Sequence, residues 1–170
     1  MSITNPTDQS LYELAAQVGE ALCARHHLLA VAESCTGGWI GKVVTDVAGS
    51  SQWFDCGFIT YSNTAKSEIL GVQEATLAKY SAVSAETVIE MAMRTLAFSR
   101  ADVAVAVSGI AGPDGGSPRK PVGTVYLAWA SRSGPVQTQV CCFAGDREAV
   151  RRQTVAVALQ GVLDAFIERP

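Results

Sequence analysis

Apolar residues recur along this chain with two periods, and each change of period marks a new element. Leu11, Leu14, Ala15, Val18 and Leu22 fall at helical spacing behind Ser10-Leu11-Tyr12-Glu13, which reads as a capping box, so residues 10–25 form a first helix with one apolar stripe. Residues 28–32 are a short apolar run, read as a buried strand. Residues 38–47 return to helical spacing and stop at Ala48-Gly49-Ser50-Ser51, and residues 54–61 read as a strand weakened by Gly57. Helical signal resumes over residues 63–70 and ends at Gly71. A short segment over 74–80 leads to Ser84, the expected cap of a helix to about Ser99 whose inner face is Val88, Met91, Ala92, Thr95 and Leu96. Residues 102–107 are apolar on both faces, as a central parallel strand requires.

After a loop rich in turn formers, residues 122–130 and 136–143 read as strands joined by Ser131-Arg132-Ser133-Gly134, short enough for an antiparallel hairpin. Gly145-Asp146 then opens a last helix to about Ile167. The order predicts an α/β fold: a three-layer α/β/α sandwich on a mixed, mainly parallel sheet with one antiparallel strand. It is expected to be a single domain over residues 1–170 with an ordered core over about 10–167.

Composition narrows the function classes. A hydrophobic fraction of 48% in 170 residues supports a core without disulfides or metal. No apolar run approaches the ~20 residues that span a bilayer, and the first ten residues lack a signal-peptide pattern, so a soluble cytoplasmic protein without membrane partners is expected. With a net charge of −3 there is no basic field for nucleic acid. The five cysteines have no CxxC spacing, which indicates neither a disulfide framework nor a zinc site. The two histidines, His26 and His27, stand at a helix end and suit its last carbonyls better than catalysis.

Chemistry concentrates where strands end, because ligands of open α/β sheets bind outside the carboxyl ends of the strands. Ala32-Glu33-Ser34-Cys35-Thr36-Gly37-Gly38 puts a hydroxyl and a thiol at a strand-to-helix turn, with backbone N–H groups of Thr36, Gly37 and Gly38 available for an oxyanion. The plainer alternative is an ordinary turn with Ser34 or Thr36 as N-cap. With both histidines at the other end of the first strand, the base must be another group. Lys66, on the turn after the second strand in Tyr61-Ser62-Asn63-Thr64-Ala65-Lys66, can serve if shielded from water, since Ser-Lys pairs replace the serine triad in some enzymes.

The loop from Ser108, with Gly109, Ala111, Gly112, Gly115 and Gly116, lets a ligand approach backbone N–H groups. Arg147 and Arg151, four apart on one helix face, either clamp a phosphate or pair with Asp146 and Glu148 at the surface. Residues 36–43 approach a phosphate-binding P-loop through Gly41-Lys42, but Thr36 and Val43 stand where it needs glycine and a hydroxyl. No G-x-G-x-x-G follows a strand, so a dinucleotide oxidoreductase is poorly supported.

Glu33-Ser34-Cys35-Thr36-Gly37-Gly38, Tyr61-Ser62-Asn63 with Lys66, the run from Ser108 to Gly116 with Lys120-Pro121-Val122-Gly123-Thr124-Val125, and Gly145-Asp146-Arg147 with Val150-Arg151 together resemble the CinA C-terminal domain family, the nicotinamide-nucleotide amidohydrolases. The resemblance implies hydrolysis of the carboxamide of nicotinamide mononucleotide to nicotinic acid mononucleotide and ammonia, with neither metal nor redox cofactor. It implies Ser34 as nucleophile, Lys66 as base directly or through Tyr61, and Glu33, the Ser108 loop and one of the two arginines as substrate contacts. A homo-oligomer is expected, with a dimer the simplest form. Longer family members carry a further N-terminal domain resembling molybdopterin-binding proteins, which has no counterpart in these 170 residues. Two rivals remain: a nucleotide-binding module without catalysis, and an amidase that uses Cys35, whose thiolate a helix N-terminus would favour.

Overall fold

Thr7, not Ser10, caps the first helix. The computed structural model describes residues 6–166, and in it α1 runs Asp8–Ala24 behind a capping box made by Thr7 and Ser10. The Ser10 N–H donates to Thr7 Oγ1 at 3.1 Å and the Thr7 N–H to Ser10 Oγ at 2.8 Å. A serine at the third helical position thus does what glutamate usually does there, so the box begins three residues before the one expected at Ser10.

The remaining elements follow the expected order with trimmed ends: β1 Leu29–Glu33, α2 Trp39–Asp46, β2 Phe54–Ile59, α3 Asn63–Glu68, α4 Glu74–Tyr80, α5 Ala85–Ala97, β3 Val103–Gly109, β4 Thr124–Ser131, β5 Gln137–Cys142 and α6 Arg147–Phe166. Ile167, where the last helix was expected to end, lies outside the described residues. The strands order as β2-β1-β3-β4-β5. β1 pairs in parallel with β2 and β3, whereas β4 is antiparallel to both of its neighbours. The sheet is therefore mixed, and β4 is the one strand running against the other four.

Side chains alternate across the three central strands, and the two faces differ in size. Leu29 and Val31, then Val103, Val105 and Val107, then Val125, Leu127 and Trp129 pack with α1, α2 and α6. Between them, Ala30 and Ala32, Ala104 and Ala106, and Ala128 and Ala130 pack with α5. Methyl groups on that face let the thirteen-residue α5 lie close to the sheet. Both faces are covered, which explains the continuous apolar runs of β1 and β3.

The same alternation sets up the functional edge. β1, β2 and β3 are parallel, so the segments after them emerge on one side of the sheet. The Ser34 N–H donates to the Val107 carbonyl at 3.1 Å, which carries the β1–β3 ladder one residue past the strand. Glu33 therefore falls in phase with Val31, toward α2, and Ser34 in phase with Ala32, toward the α5 face. Among the described residues no helix is long and apolar enough to cross a membrane.

Candidate active site

Lys66 is the most unusual side chain in the molecule, a lysine only 1% exposed. It sits on α3, whose start is fixed by Ser62, the hydroxyl of which accepts the Ala65 N–H at 3.0 Å. This short helix turns the lysine back under the end of β2. Its Nζ lies 2.9 Å from Ser34 Oγ, 2.8 Å from the Thr60 carbonyl oxygen and 3.3 Å from the Tyr61 carbonyl oxygen. No carboxylate forms an ion pair with it among the described residues. Burial accordingly pulls its pKa down from 10.5 to about 8, with the neighbouring Cys35 acting weakly in the opposite direction.

Ser34 and Lys66 share the floor of a cleft of about 280 Å3. Its walls come from Ser108 to Gly112 with Asp114 and Gly115 on one side, Ala82 and Val83 on another, and Tyr61 and Arg147 at the rim. Gly112 and Gly115 have φ of +84° and +91°, a backbone that residues with side chains rarely adopt. Ser108 is 1% exposed at the end of β3 and lines the cleft.

Several of the expected contact residues are engaged within the protein itself. Glu33 does not face the cleft: its buried carboxylate accepts the Thr36 hydroxyl at 2.5 Å and the N–H groups of Gly38, Ile40 and Gly41 at 3.1, 3.0 and 2.8 Å. It fills the positive end of α2 with an internal anion, which stabilises the turn and removes the site an external oxyanion or phosphate would use. Of the three expected oxyanion donors, two are engaged within the protein: the Gly38 N–H serves Glu33 and the Gly37 N–H goes to the Ser34 carbonyl at 3.0 Å. What remains without an acceptor among the described residues is the N–H of Cys35 and that of Thr36. The P-loop likeness also ends here, with Gly41 bound to Glu33 and Lys42 paired at the surface with Asp46.

Arg151 is turned onto the protein's own backbone. Its Nε donates to the Cys35 carbonyl at 3.0 Å and its Nη2 to the Thr36 carbonyl at 2.9 Å, while its guanidinium lies over Trp39. Arg147, one turn earlier, does line the cleft; its Nη1 donates to the Gly112 carbonyl at 2.7 Å and its Nη2 to Tyr61 Oη at 2.9 Å. Because the Tyr61 hydroxyl is engaged there and Lys66 reaches Ser34 directly, the expected relay through Tyr61 is not formed. Gly116 is outside the cleft, and a Cβ on it would meet the Val122 N at 2.8 Å, so its glycine is demanded by packing.

The thiol of Cys35 belongs to the apolar cluster with α1, α2 and α6, and burial raises its pKa to about 11. Cys35 also lines the cleft beside Ser34, but with its pKa raised in this way its thiol is protonated at neutral pH.

A family model described as CinA C-terminal domain matches residues 11–166. The chain belongs to that family. It is 56% identical over 162 residues to the nicotinamide-nucleotide amidohydrolase PncC of Escherichia coli (strain K12), covering 95% of this chain and 98% of the relative. The Pseudomonas putida protein of the same name is 53% identical over 155 residues, covering 91% and 96%. The crystal structure of the competence/damage inducible protein CihA from Agrobacterium tumefaciens superposes with a TM-score of 0.90 at 43% identity, covering 96% of this chain and 98% of that one.

Sequence reasoning missed the carbonyl groups of Thr60 and Tyr61 that hold Lys66, and the wall formed by Ala82 and Val83. Backbone acceptors have no residue-type signature, so nothing in the first case could have been read. In the second, Ser81 has φ +71°, a sharp turn of the chain that its sequence does not announce.

Proposed function

We propose that this chain hydrolyses the carboxamide of a nicotinamide nucleotide, with nicotinamide mononucleotide as substrate and Ser34 and Lys66 as the catalytic pair. The observation that carries the reading is the 2.9 Å contact between Lys66 Nζ and Ser34 Oγ at the floor of the cleft. In its neutral form the amine has two N–H groups and one lone pair. The Thr60 and Tyr61 carbonyls take the N–H groups, which aims the lone pair at the Ser34 hydroxyl.

Ser34 Oγ attacks the carboxamide carbon as its proton passes to Lys66 Nζ. The carbonyl oxygen becomes an oxyanion, for which the Cys35 N–H is the donor by analogy with other serine hydrolases, where the residue after the nucleophile supplies one. Such a donor contributes about 3 kcal/mol to the transition state. Lys66 returns the proton to the amide nitrogen, the C–N bond breaks and ammonia leaves. Water, deprotonated by the same amine, then attacks the acyl-enzyme and releases the nucleotide acid with Ser34 regenerated.

Arg147, exposed at the rim, is the phosphate contact in this reading, while Ser108, Gly109, Ala111, Gly112 and Gly115 face the rest of the nucleotide. The PncC names of relatives above 50% identity support the substrate class. A cytoplasmic location goes with it, as does a homo-oligomer: Ile59 and Ile69 are 56% and 59% exposed, apolar surface that a second copy would cover. Ammonia release from nicotinamide mononucleotide by wild type and Ser34→Ala is the test. No release by the wild type would overturn the reading in favour of a binding module.

A further inference from the structure

Lys120 makes a contact that the proposed chemistry does not use. Its Nζ crosses from the long glycine loop to the connection between α4 and α5, where it donates to Ser81 Oγ at 2.9 Å, to the Tyr80 carbonyl at 3.4 Å and to the Val83 carbonyl. On its own side the lysine is fixed by a tight turn, its N–H on the Ser117 carbonyl and its carbonyl accepting the Ser117 N–H at 2.8 Å. The ammonium also lies 6.0 Å from the centre of the Tyr126 ring.

The two segments it joins are facing walls of the cleft: Ala82 and Val83 on the α5 side, Gly112, Asp114 and Gly115 on the loop side. The loop is built around left-handed glycines, and Ser81 carries φ +71°. Arg147 holds the loop through Gly112, and Ile110 is bonded at its base to Thr124 and Gly123, so Lys120 is the contact that ties the loop's outer end to the α4–α5 connection.

We propose that Lys120 is a positioning residue for substrate binding, a clasp whose ammonium fixes the distance between the two walls of the nucleotide cleft. It acts through the loop and touches no reacting atom. Its loss should therefore weaken binding and leave the chemical step alone, because Ser34, Lys66 and their carbonyl partners lie outside the clasp.

The inference rests on the substrate reading above, so the test has one arm that does not need activity. Lys120→Met keeps the stem and removes the donors. Expected are a KM for nicotinamide mononucleotide raised about tenfold, the equivalent of ordering one or two further side chains on binding, and a kcat within about threefold of wild type. In the second arm, subtilisin cleavage within the exposed residues 113–117, away from the substituted position, followed by mass spectrometry, should be at least about tenfold faster in Lys120→Met, since opening of the loop sets the rate. Nicotinamide mononucleotide should slow that cleavage, and Lys120→Arg should restore most of both properties. Should Lys120→Met fail to fold, Ser81→Ala removes one acceptor and is expected to move both readouts in the same direction by a smaller factor. An unchanged KM with unchanged cleavage would overturn the clasp, as would a kcat that falls while KM holds. If the wild type neither hydrolyses nicotinamide mononucleotide nor is protected by it, the substrate reading fails, and the cleavage comparison alone then decides for or against the clasp.

Discussion

Replacing Lys66 with methionine should abolish ammonia release and also change how stability depends on pH. Methionine keeps the apolar length of the side chain and removes the amine. In the native protein Lys66 is 1% exposed and burial lowers its pKa from 10.5 to about 8. In the unfolded chain it titrates at its ordinary value, so between about pH 8 and 10.5 the unfolded state holds a proton that the native state has released. Wild-type stability therefore rises with pH across that window, and below about pH 8 the native state bears the full cost of a buried ammonium. The difference between the two values corresponds to about 3 kcal/mol. Methionine has no such dependence, so the stability of wild type relative to Lys66→Met should grow by about 3 kcal/mol from pH 7 to the end of the window. At pH 7 the variant sheds the buried charge but leaves the Thr60 and Tyr61 carbonyls short of a donor, a cost of about 1–3 kcal/mol, so the absolute difference there is small. Urea unfolding of both proteins at matched ionic strength across this range reads the slope. A difference that stays constant with pH would mean that Lys66 titrates as an ordinary lysine, and the neutral-amine mechanism would lose its basis.

The wild-type kcat/KM should rise with pH to a plateau, with an apparent pKa of about 8, as the Lys66 ammonium gives up its proton; a profile already flat at pH 6 would contradict it. Ser34→Ala should be inactive with an unchanged thermal midpoint, whereas Cys35→Ala, which loses a core thiol, should keep its turnover within a few-fold; the opposite pattern would make the thiol the nucleophile. Tyr61→Phe should retain near-normal kcat because its hydroxyl contacts Arg147 and not Ser34, and a hundredfold fall would reinstate the relay. Arg147→Ala should lower kcat/KM on nicotinamide mononucleotide by about ten- to a hundredfold while leaving nicotinamide riboside almost unaffected, as expected for loss of a charge-assisted phosphate contact; equal losses on both substrates would place the phosphate elsewhere.

How far the sequence could be read depended on whether a feature is carried by residue type or by backbone direction. The run apolar on both faces at β3, the Ser84 cap and the hairpin turn are residue-type signals, and the architecture they imply is the one observed. Ser34, Lys66 and the pair Arg147 and Arg151 are candidates by residue type, because a hydroxyl at a strand end, a lysine after the next strand and arginines beyond a glycine loop carry chemistry that a fold of this class brings to one edge; of them Ser34, Lys66 and Arg147 line one cleft. Glu33, Gly38 and Arg151 were misread for one shared reason. Each has the chemistry of a ligand contact, and each spends it on the protein's own backbone. A helix N-terminus attracts an external anion only if no internal carboxylate reaches it, and an arginine binds phosphate only if no carbonyl pair claims its fork. Residue types alone could not tell these cases apart.

The last prediction uses that distinction at Glu33. Glutamine at this position is nearly isosteric, but its amide nitrogen cannot accept, so some of the four donors now shared by the carboxylate oxygens must face an N–H2 group. All of this lies within a residue that is 1% exposed, where water cannot substitute. Losing charge-assisted bonds there, each contributing about 1.5–3 kcal/mol, and leaving donors unpaired should destabilise Glu33→Gln by about 3 kcal/mol or more. Alternation makes the effect reach catalysis, because Glu33 and Ser34 are neighbours on opposite faces of the sheet. Relaxation of the α2 turn shifts the backbone that carries Ser34, so kcat should fall along with the unfolding midpoint. A glutamate serving as substrate contact would behave differently, with KM rising at unchanged stability. Measuring urea unfolding and steady-state kinetics on the same preparation separates the two, and a normal midpoint with a raised KM would return Glu33 to the cleft.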